Sequence, residues 1–164
     1  MRTAHEFLSR IHIIGSQTRE RIVSPVECPA LVDQGILLCG LSDAAAPYRM
    51  VRPRLGWSEL IVTLAGRGRV WVPKGWRSLR VGEAYVAPHD AAQAFHGEGG
   101  RWRFVWVQFS TRLSGTTPAV VSADGADLSA LVTALHHEVL GAGDRAVLSH
   151  LAALVARLAE RAAR

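Results

Sequence analysis

Between residues 31 and 112 the chain runs as short apolar segments, GILLCGL, SELIVTLAG, RVWVP, EAYVAP and RWRFVWVQF, separated by Gly, Pro or charged breaks. Several short strands at close spacing predict an antiparallel sandwich or barrel. Gly66-Arg67-Gly68 and Pro73-Lys74-Gly75 read as hairpin connections between adjacent antiparallel strands. After Pro118 the period changes. Leu128, Leu131, Val132, Leu135 and Val139 recur at helical spacing behind Asp124 or Asp127 as N-cap, which predicts a helix over about 127–140. Gly141-Ala142-Gly143 stops it, Asp144 caps the next, and Leu148, Leu151, Val155 and Leu158 mark a second helical stripe. Residues 5–14 (HEFLSRIHII) read as a short amphipathic helix or an arm.

The expected fold is therefore mainly β with C-terminal α, in three parts: an N-terminal arm or short helix over 1–30, a barrel over 31–121, and a helical hairpin over 122–164. The hairpin either packs on its own barrel or also pairs with a second chain. A sustained coiled coil is not indicated, because the heptad runs for only about two repeats where three or four are wanted.

Composition narrows the class. At 164 residues with 49% apolar and 20% charged residues, the chain is long enough for one domain with a sizeable core, and disorder is excluded. The net charge of +5 is concentrated in the middle: residues 49–112 hold eleven Arg/Lys against four Asp/Glu. Lys74 is the single lysine, so the excess reads as an arginine-rich solvated surface. Cys28 and Cys39 stand in no CxxC or disulfide framework and read as reduced thiols of a cytoplasmic protein. The N-terminal stretch is interrupted by Glu6, Arg10 and His12 and does not read as a signal peptide, and no apolar run suffices for a membrane helix.

Arg52-Pro53, Glu59-Leu60-Ile61-Val62, Gly66-Arg67-Gly68, Val81-Gly82-Glu83, Pro88 and Trp102-Arg103-Phe104-Val105-Trp106-Val107-Gln108-Phe109 follow one another in an order that resembles the effector-binding domain of AraC-type transcriptional regulators. The resemblance covers about residues 36–112 and extends more loosely over the two helices. It implies a cupin-like double-stranded β-barrel (jelly roll) that binds a small effector, followed by a two-helix hairpin that makes a homodimer through Leu148, Leu151, Val155 and Leu158. It also implies DNA binding through a helix-turn-helix domain outside this chain, which then reads as the regulatory fragment of a longer protein or as a naturally short relative.

Within that resemblance Trp106 points into the barrel to stack on the effector, with Phe95 and Phe104 at neighbouring contacts. The latter two positions carry Tyr and His in sugar-binding members, so a sugar is disfavoured: each buried hydroxyl without a partner costs about 1–3 kcal/mol. Arg52 is a candidate anchor for a carboxylate or hydroxyls, or else a solvated arginine. Thr63 and Gln93 are candidate neutral hydrogen-bond partners.

Cupin enzymes hold a metal on a His-x-His strand and a later His. Here Gly56-Trp57-Ser58-Glu59-Leu60 has no histidine, and Gln93 stands where the later one is expected. His89 and His96 lack partners. No metal, no cofactor and no catalytic residue is expected, and the leading expectation is a ligand-sensing, non-enzymatic domain. A small cupin enzyme (dioxygenase or isomerase) and a stand-alone ligand-binding or anti-activator protein are the alternatives.

Overall fold

The structure is a computed structural model and describes residues 10–110 and 113–164. Eleven strands and three helices are found among them: β1 (Ile11–Ile14), β2 (Arg19–Val23), α1 (Ala30–Asp33), β3 (Ile36–Ala44), β4 (Tyr48–Arg52), β5 (Ser58–Ala65), β6 (Arg67–Val72), β7 (Gly75–Arg80), β8 (Glu83–Ala87), β9 (Gln93–Gly97), β10 (Trp102–Phe109), β11 (Ala119–Ser122), α2 (Ala126–Leu140) and α3 (Arg145–Ala162).

The strands form two antiparallel sheets, ordered β1-β4-β9-β6-β7 and β11-β8-β5-β10-β3-β2. Strands β3 to β10 alternate between the sheets so that β3, β10, β5 and β8 pair in one and β4, β9, β6 and β7 in the other. That interleaving is the double Greek key of a jelly roll, and the expected cupin-like barrel followed by two helices is present. The barrel begins earlier than expected. Residues 11–14 are strand β1 paired with β4, and β2 pairs with β3, so neither lies in a helix or a free arm. Residues 5–9 of the expected N-terminal helix lie outside the described residues.

One turn reading is also corrected. Pro73-Lys74 does close a hairpin, with Val72 opposite Gly75. The Gly66 turn instead carries the chain from one sheet to the other, since β5 pairs with β8 and β10 whereas β6 pairs with β7 and β9. Gly68 has a packing reason: a Cβ there would lie 2.5 Å from the Trp102 indole.

Alternation along β10 divides the core. Trp102, Phe104 and Trp106 join Met50, Ile61, Tyr85 and Phe95 between the sheets. Val105, Val107 and Phe109 face the other way and form a second core with Leu128, Val132, Leu135, Leu148 and Val155 of the helices. The Asp144 side chain caps α3 by accepting from the Ala146 and Val147 amides, as its position predicts. At α2 the N-cap is Gly125, and Asp124 accepts from the Ala126 amide.

Candidate functional site

A cavity of about 210 Å³ lies between the sheets on the β1–β2 side of the barrel. The first sheet contributes His12, Ile14, Tyr48, Met50, Arg52 and Phe95, and the second contributes Glu20, Ile22, Leu38, Glu59, Phe104, Trp106 and Gln108. Tyr48, Phe95 and Phe104 form an aromatic cluster, with Tyr48 centred 6.2 Å from Phe95 and 5.9 Å from Phe104. A cleft of about 530 Å³ beside α2 is larger, but Arg19, Arg21 and Arg103 line it. The barrel cavity has the mostly apolar walls and few convergent polar groups expected of a small-molecule site.

Its polar end is made by cross-strand pairs. Arg52 on β4 stands opposite Gln93 on β9, and Glu59 on β5 stands opposite Gln108 on β10. The two pairs join across the sandwich: Arg52 Nη1 donates to Gln93 Oε1 at 2.6 Å and to Glu59 Oε2 at 3.2 Å. Gln93 Nε2 donates to Glu59 Oε2 at 2.5 Å, and Gln108 Nε2 to Glu59 Oε1 at 3.2 Å. Only 14% of the Arg52 side chain and 4% of that of Glu59 are exposed. A charge buried this deeply is tolerated because its partner and both amides satisfy it. Arg52 also lies over the Phe95 ring, 5.8 Å from its centroid.

A second polar chain fixes the aromatic wall. Trp106 Nε1 donates to Ser42 Oγ at 2.9 Å, and Ser42 Oγ donates to Glu20 Oε2 at 2.6 Å. The indole lies over Gly40, its partner on β3, where a Cβ would come within 2.7 Å of the ring. Nearby, burial pushes the Tyr48 phenol well above its ordinary range. The charges of Glu20 and Glu59 add to that rise, against smaller opposing effects of Arg52 and the Ser42 bond.

Of the residues singled out in the sequence, Arg52, Phe95, Phe104 and Trp106 line the cavity, and Gln93 lies at its polar end. Arg52 is neither a solvated arginine nor a free anchor, because Glu59 already neutralises it. Thr63 does not line this cavity: its hydroxyl accepts from Trp102 Nε1 at 3.0 Å, in the packed part of the barrel. Sequence reasoning passed over Glu20, Ser42, Tyr48, Glu59 and Gln108. The alternation 102, 104, 106, 108 carried the signal for Gln108, and a lone carboxylate inside the apolar run SELIV carried the one for Glu59. Glu20, in the polar stretch RERI, carried none.

The stripe expected to pair with a second chain is engaged within this one. Leu148 and Val155 are buried in the helix-side core, and Leu151 and Leu158 pack half-buried against it. The exposed large apolar side chains of α3 are Val147 and Leu154.

No protein-family model matches the chain, and no curated protein matches it in sequence. Solved structures are similar in fold. Protein Ylba from E. coli is 14% identical over 76% of this chain and 52% of its own, with a TM-score of 0.49. A mutant oxalate decarboxylase from Bacillus subtilis is 13% identical over 61% of this chain and 27% of its own, at 0.48. An HTH_3 family transcriptional regulator from Vibrio cholerae is 19% identical over 49% of this chain and 46% of its own, at 0.43. The match thus spans between about a quarter and a half of those chains. The similarity is one of fold.

The expectation of a non-enzymatic chain is corrected at this point, since a decarboxylase stands beside a regulator among the similar structures. Among the described residues no three His, Cys, Asp or Glu side chains come together as metal ligands, and no helix is long and apolar enough to cross a membrane.

Proposed function

We propose that the chain is the small-molecule-sensing domain of an AraC-type transcriptional regulator, and that the effector binds between the sheets against Trp106. The observation that carries this reading is the cavity itself, with aromatic walls at one side and the Arg52–Glu59–Gln93–Gln108 cluster at the other. Strand β10 offers a route for the response: Phe104, Trp106 and Gln108 line the cavity, while Val105, Val107 and Phe109 on its other face carry the helices. An effector acts through such a route only if it binds two arrangements with different affinity.

Under this reading the partners are a small effector and a second copy of the chain, with DNA contacted through a further domain. Pairing of two copies would use the side of α3 that exposes Val147 and Leu154, because the opposite side belongs to the chain's own core.

A thermal-shift screen of metabolites, followed by calorimetric titration of each hit into wild type and Trp106→Ala, tests the proposal. A ligand at 100 times its dissociation constant stabilises the fold by about 2.7 kcal/mol. The expected outcome is a hit whose affinity falls in the folded Trp106→Ala protein. Mass spectrometry of the recovered hit reads whether it leaves the protein unchanged. Undiminished affinity in that variant would remove the barrel cavity as the site.

A further inference from the structure

We infer that the molecule this cavity takes is a small protonated amine carrying one ring, with Glu20 as its counter-ion and Trp106 and Phe104 as its aromatic walls. The inference rests on the binding reading above and adds the charge and size of the ligand.

Charge comes from the inventory of the walls. The cavity is lined by two carboxylates, Glu20 and Glu59, one guanidinium, Arg52, and one imidazole, His12. Arg52 and Glu59 neutralise each other, with Gln93 and Gln108 completing the shell around the Glu59 carboxylate. Glu20 has no such partner. Among the described residues its bond comes from a neutral hydroxyl, that of Ser42, and no basic side chain pairs with it. Its neighbours along β2, Arg19 and Arg21, line the cleft beside α2 on the other side of the sheet. With the His12 imidazole neutral, one negative charge is left over, facing a wall of π-systems. Both features favour a cation, since a carboxylate makes a charge-assisted hydrogen bond to an ammonium and aromatic faces attract positive charge. Glu20 and Glu59 also add to the rise of the Tyr48 phenol, whose first cause is burial. A carboxylate ligand would meet Glu20 and find the one guanidinium already occupied.

Size follows from the volume. An apolar cavity of about 150 Å³ holds one benzene molecule, so about 210 Å³ leaves room for one ring and a short arm. A ring against Trp106 and Phe104 with a two- or three-atom arm toward Glu20 fills that space.

Three matched probes separate the possibilities: 2-phenylethylammonium, 2-phenylethanol and 3-phenylpropanoate. Each is titrated calorimetrically at neutral pH into wild type, Glu20→Gln and Trp106→Ala, with near-UV circular dichroism as the check of folding. Glu20→Gln keeps an acceptor for Ser42 while removing the charge. The expected result is that the ammonium binds wild type about tenfold or more tighter than the alcohol, that the acid binds weakest, and that Glu20→Gln removes the ammonium's advantage while leaving the alcohol unchanged. If the alcohol or the acid binds as well as the ammonium, or the advantage survives Glu20→Gln, the inference fails and the cavity stands as a site of another selectivity. If none of the three binds, the inference fails and the binding reading stands on the screen; if Trp106→Ala leaves all three affinities unchanged, the binding reading fails with it.

Discussion

Trp106 donates its indole hydrogen to Ser42, and Ser42 passes its own hydrogen to Glu20, so the largest wall of the cavity is held by the carboxylate that carries the unbalanced charge. Wall and charge are one unit. Ser42 is 3% exposed, and replacing it leaves the indole N–H without that acceptor. Ser42→Ala should therefore destabilise the fold by about 1–3 kcal/mol, measured by urea unfolding. An unchanged midpoint would mean that water replaces the hydroxyl at no cost.

Arg52 and Glu59 are a buried pair, and breaking one side should cost more than removing both. Arg52→Ala leaves the Glu59 carboxylate buried among Gln93 and Gln108, for an expected loss of about 3–5 kcal/mol. In the double variant with Glu59→Gln much of that loss should return. A double-mutant cycle in urea reads the coupling, and simple additivity would show that the pair is solvated in solution.

The two sides of α3 should respond in opposite ways. Leu148→Ala empties a buried position of the helix-side core and should cost about 2–5 kcal/mol of stability. Leu154 is 50% exposed, so Leu154→Glu should leave the unfolding midpoint nearly unchanged. If two copies pair as proposed, sedimentation velocity should show a dimer for wild type and a monomer for Leu154→Glu. A monomeric wild type at high concentration would remove the second copy from the account.

Burial pushes the Cys39 thiol up to about 12 and raises that of Cys28 as well. Such groups are protonated in the folded state at pH values where the unfolded chain has begun to lose its protons. Their contribution to stability is therefore complete below the unfolded thiol range near pH 8.5 and is lost as pH rises through the folded value. Stability should decline between about pH 9 and about pH 12. At pH 8 both thiols should resist a disulfide exchange reagent until denaturant is added, and prompt reaction of the native protein would contradict their burial.

How much of this was legible in the sequence depends on the kind of signal. The helices were readable because Leu128, Val132, Leu135, Leu148 and Val155 repeat at their own period, and Asp144 caps α3 where its position says it should. Their direction was not readable from the stripe. An apolar face is the same whether a sheet or a second chain covers it, and here Val105, Val107 and Phe109 cover it. The faces of β10 were legible from alternation, and with them Phe104 and Trp106 as cavity walls. Strand β1 was hidden because Ile11, Ile13 and Ile14 fit either period over so short a stretch, and only pairing with β4 decides. The polar cluster was hidden for a related reason. Arg52 and Glu59 lie in different sheets, and only the crossing of the chain between sheets brings them together.

The central claim, that a small molecule binds between the sheets against Trp106, is tested most directly by the indole N–H resonances of the five tryptophans. A ¹H–¹⁵N spectrum, assigned with one Trp→Phe variant at a time, is recorded before and after addition of a stabilising ligand. The account predicts that the Trp106 resonance moves most, because its N–H bonds to Ser42 at the cavity wall. Those of Trp71 and Trp76, which pack edge to face with each other outside the inter-sheet core, should stay in place. Movement of Trp71 and Trp76 with Trp106 unmoved would contradict it and locate the ligand on the outer face of the other sheet.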